Sequence, residues 1–308
     1  MTVTFLNMNN ILIVGTGALA TLFAARLTQA GQNVTMLGTW QAGLDALRSN
    51  GVRLVDSHGN EQKFRVQVID KPRECAGTKY AIVLVKAWQT ERAALQLAEC
   101  LADDGLALTL QNGLGNYETL TQSLGLNRVA LGSTTTGATL LGPGMVRPGG
   151  EGVISIGRNQ ALGPLEAALK SARFIVQLVE NAQSLVWGKL VINAAINPLT
   201  ALLKIPNGEL LERPSARELM GALARETAQV AYAENIALPF ADPVAAAEEV
   251  AHKTAANHSS MLQDVLRGAR TEIDAICGAI VKTAEKHKLD VPVNQVCWRL
   301  VRALMERG

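Results

Sequence analysis

The stretch ILIVGTGALATLFAARLTQAG, residues 11–31, decides the fold that the sequence predicts. Its first four residues are apolar and mostly β-branched, which is typical of a buried parallel strand. Gly15 and Gly17 permit a tight turn and a close backbone approach, Ala20 takes the third small position, and a helix then runs to Gly31. This strand, turn and helix predict a helix N-terminus that binds the pyrophosphate of a dinucleotide. The alternative is a glycine turn in some other α/β unit.

The second strand is predicted at 34–37, and the residues after it are Gly38, Thr39 and Trp40. Many dinucleotide-binding folds carry an acidic residue at this point, where it binds the ribose 2′-hydroxyl. Its absence weakens a prediction of NAD as the cofactor. The Thr39 hydroxyl can donate one hydrogen bond to a phosphate.

Two further buried strands are predicted at 80–85 and 106–110, and each is followed by a polar residue. Lys86 follows the first strand, and Asn112 follows the second within QNGLGN. Ligands gather beyond the carboxyl ends of the strands in open α/β sheets, so both side chains are candidates for cofactor contacts. The alternatives are a solvated loop lysine and an ordinary Asn-Gly turn.

The rest of the first 179 residues completes the predicted α/β domain. We expect a helix near 41–49, a hairpin-like insertion formed by strands 52–55 and 64–69, strands and turns in the Gly-, Thr- and Pro-rich segment 133–157, a helix at 164–172 and a strand at 174–178. From residue 180 the periodicity becomes helical. Helices are predicted at 187–203, 215–235, 243–253, 268–286 and 294–305. The sequence therefore predicts an α/β N-terminal domain, 1–179, and an all-α C-terminal domain, 180–308.

An apolar helix in the second domain, WGKLVINAAINPLTALLKIPNG at 187–208, carries Lys189, Asn193 and Asn197 at a spacing of four. These side chains share one face of a helix, because they drift by only about 80°. A desolvated amide without a partner costs about 1–3 kcal/mol, so the pattern needs a reason. The functional interpretation is a polar strip that gives a proton and holds oxygens. The structural alternative is a kinked helix whose Asn residues cap a break at Pro198.

Polar residues near 257–274 form a second group of candidates. Ser259 and Ser260 are able to cap a helix, fill a turn or bind a carboxylate, and capping is the commoner role. Glu272 is either an exposed helix acid or a functional one.

Composition excludes several classes of function. The 29 basic and 27 acidic residues are interspersed and give a net charge of +2, so no basic stripe indicates nucleic acid or an anionic membrane. We expect no membrane span and no signal peptide, and therefore a cytoplasmic protein. The four cysteines and four histidines lack metal-ligand spacing, so no metal is predicted.

Seven ordered motifs resemble the ketopantoate reductase family, also called 2-dehydropantoate 2-reductase. They are GTGALA near the start, VKAWQ at 85–89, NGLG at 112–115, WGKLVINAAINPLTA at 187–201, PNGEL at 206–210, SSMLQD at 259–264 and TEID at 271–274. The resemblance spans nearly the whole chain. It implies a Rossmann-type domain, a C-terminal all-α domain and a substrate cleft between them. The implied reaction is NADPH-dependent reduction of 2-dehydropantoate to pantoate, in the pathway to pantothenate and coenzyme A.

The resemblance also implies roles for individual residues. Lys189 corresponds to the proton donor, and Glu272 to a group that contacts the cofactor or the new hydroxyl. The substrate ligands implied are Asn112, Asn193, Asn197, Asn207 and Ser260. The cofactor ligands expected are Gly15, Thr16, Gly17, Ala18, Leu19, Ala20, Thr39, Lys86, Asn112, Ala138 and Glu272. Many members carry an arginine where this chain has Thr39, so NADP is the expected cofactor and NAD is not excluded.

Three other interpretations remain open at this point. A related reductase of another branched 2-keto acid would share the cofactor loop and Lys189. A non-enzymatic dinucleotide-binding sensor would need only the first domain. A structural αβ scaffold explains neither the glycine loop nor the polar helix face. The expected partner is a small 2-keto acid, and the chain is expected to be a monomer or a homodimer.

Overall fold

The computed structural model describes residues 10–306 and has the mixed α/β class that the sequence predicts. The chain divides into two compact units. Of the described residues, the first unit contains 10–111 together with 116–182, and the second contains 112–115 together with 183–306. The predicted domain boundary at 179 and 180 rests on the change of composition and of periodicity along the sequence. It stays a prediction about where the two functions divide.

The first unit contains the strands. They are β1 (Asn10–Val14), β2 (Asn33–Leu37), β3 (Val52–Val55), β4 (Glu61–Phe64), β5 (Gln67–Ile69), β6 (Thr78–Val83), β7 (Leu101–Thr109), β8 (Val129–Thr134), β9 (Ala138–Gly142), β10 (Met145–Pro148), β11 (Val153–Gly157) and β12 (Ile175–Val179). Among the described residues, eight of them form one sheet in the order β12-β11-β8-β7-β6-β1-β2-β5. Neighbours from β8 to β5 are parallel, whereas β11 runs antiparallel to β8.

Strand β1 lies between β6 and β2, and both of its faces are buried. Ile11 and Ile13 pack into one hydrophobic cluster, while Leu12 and Val14 pack into another. This alternation places one core on each side of the sheet, as expected for a doubly wound fold. The helices of this unit are α1 (Ala18–Gln29), α2 (Gln41–Asn50), α3 (Thr90–Cys100), α4 (Asn116–Leu124) and α5 (Gly163–Ser171).

A second sheet corrects two of the sequence predictions. The structure describes it in the order β4-β3-β10-β9. The predicted strand 64–69 is wrong as one element, because Phe64 pairs with Val52 in this sheet while Ile69 pairs with Leu37 in the large sheet. One strand cannot pair in both sheets, so it divides between β4 and β5. The segment 133–157 likewise divides, since β9 and β10 join the second sheet instead of completing the first.

The second unit is helical. Its helices are α6 (Ala182–Leu203), α7 (Glu209–Glu212), α8 (Pro214–Ala233), α9 (Pro243–Lys253), α10 (Ser260–Leu266), α11 (Cys277–His287) and α12 (Pro292–Met305). Helix α6 is central, because its side chains belong to both hydrophobic clusters of this unit. Leu190 and Ala194 pack into one cluster, and Val191 and Ala195 pack into the other. Within residues 10–306, α6 alone is long and apolar enough to cross a membrane, and 67% of its most apolar window is buried in the protein.

The predicted helix 268–286 is wrong over its first half. Gly268 ends α10 with a φ of 64°, which favours glycine, and turns follow until α11 begins at Cys277. Apolar residues at 269, 273 and 276 recur at a spacing of four and three, which suits a helix. Tertiary contacts override this local preference, and they place Glu272 in a buried turn.

Candidate active site

The glycine loop of the first unit follows β1 directly. Gly15 has a φ of 131°, and a Cβ atom there would lie 3.1 Å from the carbonyl oxygen of Leu84. Its amide donates to the carbonyl oxygen of Leu37 at 2.8 Å, so the loop is fixed to the end of β2. Only glycine combines this backbone conformation with such a close approach.

The N-terminus of α1 fits a dinucleotide pyrophosphate. Gly17 is the N-cap, no side chain caps the helix, and its first turn holds no acidic residue. A Cβ atom on Gly17 would meet nothing within 4 Å, so the space before the helix is open. The first-turn amides, from Ala18 to Ala20, therefore have no N-cap side chain as a partner, and they lie at the positive end of the helix dipole. An anion is favoured there.

The remaining cofactor candidates of this unit follow neighbouring strands of the large sheet. Thr39 is exposed two residues beyond β2, Lys86 is half-buried three residues beyond β6, and Ala138 lies four residues beyond the end of β8. Because β2, β6 and β8 belong to the parallel part of the sheet, their carboxyl ends lie along one edge, the edge that holds the glycine loop.

Gln111 is a residue at this edge that the sequence did not single out. Its side-chain amide donates to the carbonyl oxygen of Val85 at 3.0 Å and to the hydroxyl of Thr90 at 2.8 Å. The end of β7 is thereby tied to the backbone just before Lys86. In the sequence, Gln111 is only a polar residue after a predicted strand. Its hydrogen bonds were not predictable, because Val85 and Thr90 lie more than 20 positions away along the chain.

In the second unit, α6 carries the polar strip. Lys189 and Asn193 are half-buried, and Asn197 is 6% exposed. Within residues 10–306 the side chains of Asn193 and Asn197 make no hydrogen bond, so the amides retain their capacity for a ligand. The helix continues through Pro198 to Leu203. The kink interpretation required a break capped by these amides, and neither feature is present in the described chain.

Burial lowers the pKa of Lys189 from 10.5 to about 8, and the carboxylate of Glu272 acts in the opposite direction. Removal from water penalises the ammonium form, whereas a nearby negative charge favours it. The lysine is therefore still mostly protonated at pH 7, yet it gives up its proton far more readily than an ordinary lysine. Such a value is typical of a group that transfers a proton near neutral pH.

The segment 112–115 packs beside Glu272 in this unit. The amide of Asn112 donates to a carboxylate oxygen of Glu272 at 3.4 Å, and the backbone N–H of Leu114 donates to the carbonyl oxygen of Ala275 at 3.0 Å. Gly113 has a φ of 83°, and a Cβ atom there would lie 2.5 Å from that carbonyl oxygen. Glycine at 113 therefore allows this segment to pack closely against Ala275, next to the contact between Asn112 and Glu272. Glu272 itself is 6% exposed.

Asn207 has one unsatisfied polar atom. Its side-chain nitrogen donates to the hydroxyl of Thr254 at 2.9 Å, and its backbone N–H donates to the carbonyl oxygen of Asn257 at 3.0 Å. Its Oδ1 atom is buried and has no hydrogen-bond partner among the described residues. A buried acceptor without a partner is costly, and a ligand with a hydroxyl group would satisfy it.

The two adjacent serines have different surroundings. The hydroxyl of Ser259 accepts from the backbone N–H of Leu262 at 3.1 Å and lies 2.7 Å from the hydroxyl of Thr200 on α6. Ser259 is therefore the N-cap of α10, and it joins that helix to α6. Ser260 begins α10 and is exposed. The structure thus gives capping to Ser259 and leaves Ser260 accessible.

Two family models match the chain. "Ketopantoate reductase PanE/ApbA" matches residues 11–161, and its C-terminal counterpart matches residues 181–305. The chain belongs to the ketopantoate reductase family. The boundary between the two matches falls between 161 and 181, within the region where the sequence changes from mixed α/β to helical periodicity.

Several known proteins resemble this chain along nearly its full length. The 2-dehydropantoate 2-reductase of Halobacterium salinarum is 35% identical and the match covers 97% of this chain and 99% of that protein. A PanE/ApbA family ketopantoate reductase from Ralstonia eutropha is 31% identical, with a TM-score of 0.89 over 96% of this chain and 98% of the other. A D-mandelate dehydrogenase solved with NADH and anilino(oxo)acetate has a TM-score of 0.90 over 96% of this chain and 98% of the other. At 24% identity, that likeness shows the fold alone.

In this ketopantoate reductase family member the predicted site residues form two sets, one in each unit. The glycine loop, Thr39, Lys86 and Ala138 follow the carboxyl ends of strands in the first unit. In the second unit the charge of Glu272 acts to raise the pKa of Lys189, and Glu272 is hydrogen-bonded to Asn112. The sequence did not indicate Gln111, and it named Ser259 without revealing the contact with Thr200.

Proposed function

We propose that this chain reduces 2-dehydropantoate to pantoate with NADPH, as its family membership indicates. Members of this family are NAD(P)-dependent oxidoreductases, and the chain is one of them. The observation that carries the proposal is Lys189, a lysine with a pKa of about 8 beside a carboxylate and next to amides with unused hydrogen-bonding capacity. Reduction of a keto group requires a proton donor, together with neutral groups that bind the oxygen atoms of the substrate.

Lys189 is the proposed proton donor. When bound, the nicotinamide cofactor would supply a hydride to the keto carbon, and the keto oxygen would then carry the developing negative charge. The ammonium group of Lys189 stabilises this charge and delivers the proton that completes the hydroxyl. Glu272 favours the charged form of Lys189, and Asn112 holds the Glu272 carboxylate in place.

The proposed substrate ligands are the amides and one serine of the second domain, 180–308, together with Asn112. Amides stay neutral at any working pH, so Asn193 and Asn197 can hold hydroxyl or carboxylate oxygens without competing for the proton. The buried Oδ1 atom of Asn207 accepts from a substrate hydroxyl. Ser260, exposed at the start of α10, contacts the substrate carboxylate.

The proposed cofactor domain is 1–179. The backbone of Gly15, Thr16, Gly17, Ala18, Leu19 and Ala20 holds the pyrophosphate, supported by the uncapped end of α1. Lys86, Ala138, Asn112 and Glu272 are further proposed cofactor ligands. Thr39 faces the adenosine ribose. NADPH is the proposed cofactor with measurable use of NADH, because no acidic residue follows β2 to repel a 2′-phosphate.

The test is oxidation of NADPH and NADH by the purified protein with a panel of branched 2-keto acids that includes 2-dehydropantoate. We expect the highest kcat/KM with 2-dehydropantoate and NADPH. A higher value with another 2-keto acid would favour the related reductase. Cofactor binding without turnover of any acid would favour the non-enzymatic sensor. Analytical ultracentrifugation of the same sample tests the monomer or homodimer prediction, and a cytoplasmic location stays a prediction.

Replacing Asn197 by alanine is expected to raise KM for the keto acid with a small change in kcat. An amide that holds a substrate oxygen acts in the ground state and in the transition state alike, so its loss weakens uniform binding. Steady-state kinetics and thermal unfolding of the variant are the measurements. A lower melting temperature with unchanged KM would mean that Asn197 serves the helix instead.

The reduction rate is expected to fall as the pH rises through about 8. Lys189 must carry its proton to donate it, and its pKa is about 8, so the active fraction declines above that value. The measurement is kcat/KM from pH 6 to 10 for the parent and for Lys189→Ala. The inflection should be absent in the variant. A parent profile that stays flat to pH 10 would exclude Lys189 as the donor.

A further inference from the structure

We propose that the indole ring of Trp40 is the stacking platform for the adenine of the dinucleotide. The role rests on the proposed cofactor binding. None of the proposed cofactor ligands contacts the adenine base. Trp40 is 42% exposed and stands immediately before α2 as its N-cap residue. A single exposed apolar side chain needs no partner in itself, and Trp40 is singled out by its place beside the glycine loop.

The position of Trp40 follows from the packing of the glycine loop against the end of β2. The amide of Gly15 donates to Leu37, the last residue of β2, at 2.8 Å. A Cβ atom on Gly38 would lie 2.5 Å from the methyl group of Thr16, so the chain beyond β2 passes directly over the loop. In doubly wound folds the adenosine half of a dinucleotide lies beyond the second strand, next to this loop. Trp40 is three residues beyond β2, at this place.

The ring is held in place by its own helix. A Cβ atom on Gly43 would lie 2.4 Å from Cε3 and 3.1 Å from Cδ2 of Trp40, so the indole rests on the bare backbone of Gly43. The Cε3 side of the ring is thereby in contact with the helix, while the side chain as a whole is 42% exposed. Residues three apart share a helix face, which allows this contact. An ordered ring loses little conformational entropy when a base stacks on it.

The sequence after β2 has neither an acid for a ribose 2′-hydroxyl nor an arginine for a 2′-phosphate. Stacking on Trp40 would supply binding energy at this end of the cofactor without either residue. Adenine is common to NADPH and NADH, so a stacked base strengthens the binding of both cofactors by the same factor. The ring also requires no 2′-phosphate. Glycine at position 43 leaves room for the indole ring, because any side chain there would displace it.

The experiment is isothermal titration calorimetry of the full-length protein with NADPH, NADH and ADP, alongside thermal unfolding. The variants are Trp40→Ala, Trp40→Phe and Gly43→Ala, with Tyr232→Ala as the control for an exposed aromatic residue elsewhere. Gly43→Ala keeps the tryptophan but moves the ring, and alanine favours a helix, so this variant should fold at least as well as the parent.

We expect Trp40→Ala to weaken all three ligands by about the same factor, roughly 10-fold, which is within the usual range for base stacking on an aromatic ring. Trp40→Phe should retain most of the affinity, Gly43→Ala should lose affinity without losing stability, and Tyr232→Ala should match the parent. Parent-like binding by both Trp40→Ala and Gly43→Ala would overturn the inference, because the ring would then only cover α2. A Trp40→Ala variant that fails to fold leaves the decision to Gly43→Ala.

The two proposals fail in different ways. If ADP affinity depends on Trp40 and no 2-keto acid is reduced, the stacking role stands and the proposed reaction is wrong. If the parent reduces 2-dehydropantoate and the Trp40 and Gly43 variants bind like the parent, the reaction stands and the stacking role is wrong. A parent that binds none of the three ligands would overturn both.

Discussion

Replacing Lys189 by alanine is expected to lower kcat by about 10²–10³-fold, which is the usual loss for one electrostatic donor aimed at a developing oxyanion. NADPH affinity should stay unchanged, because the proposed contacts of Lys189 are with the keto oxygen. The measurements are kcat and KM for 2-dehydropantoate and the Kd for NADPH. Lys204→Ala is the matched control, since Lys204 is exposed just beyond the end of the same helix.

Stability distinguishes a catalytic lysine from a structural one. The folded-state pKa of Lys189 is lowered, so the unfolded chain binds this proton more tightly between about pH 8 and 10.5, and the stability contributed by this group rises with pH in that range. Below pH 8 the buried charge is a cost to folding. Lys189→Met should therefore unfold at a temperature no lower than the parent. A parent-like kcat with a lower melting temperature would make Lys189 structural.

The first β-strand, the glycine loop and α1 could be predicted because their signals are local. An apolar β-branched run, two glycines and a periodic helix lie within residues 11–31. The predicted fold class was confirmed by the eight-stranded, mostly parallel sheet that the described residues form around β1. The predicted helix 243–253 also agrees with α9, whose start is fixed by Pro243 and by two hydrogen bonds to the side chain of Asp242.

Elements determined by distant contacts were not predictable in the same way. Neither α3 nor α4 was predicted, although both are ordinary amphipathic helices. The division of 64–69 between two sheets depends on pairing with β3 and β2, which no local pattern reports. The segment 268–276 has helical periodicity, yet Gly268 and the contact of Ala275 with Leu114 hold it in turns.

In the candidate site, too, local patterns were predictable from the sequence and contacts between distant residues were not. Lys189, Asn193 and Asn197 were visible because a spacing of four on an apolar helix is a one-dimensional signal. The hydrogen bonds of Ser259 to Thr200 and of Asn112 to Glu272 join residues 59 and 160 positions apart, so only the fold reveals them. The family resemblance named Asn112 and Glu272, but their mutual contact comes from the structure.

Replacing Thr39 by arginine is expected to tighten NADPH by about 1.5–3 kcal/mol, the range of a hydrogen bond to a charged group. Position 39 is exposed just beyond β2. The side chain of the introduced arginine therefore has room to reach a 2′-phosphate and to form a bidentate pair with it. Nearby Arg48 supplies little free charge, because its guanidinium is 3.0 Å from Asp70 and 3.9 Å from Asp45. NADH lacks the phosphate, so its affinity should stay nearly unchanged.

The measurement is the Kd of each cofactor for the parent, Thr39→Arg and Thr39→Gln. Glutamine is long and polar but uncharged, so it separates the effect of charge from that of reach. We expect a large gain for NADPH with arginine, a small one with glutamine, and none for NADH with either. An arginine that improved neither cofactor selectively would mean that Thr39 does not face the adenosine ribose. The 2′-phosphate would then lie away from the end of β2, because an exposed guanidinium at 39 cannot leave a neighbouring dianion unaffected.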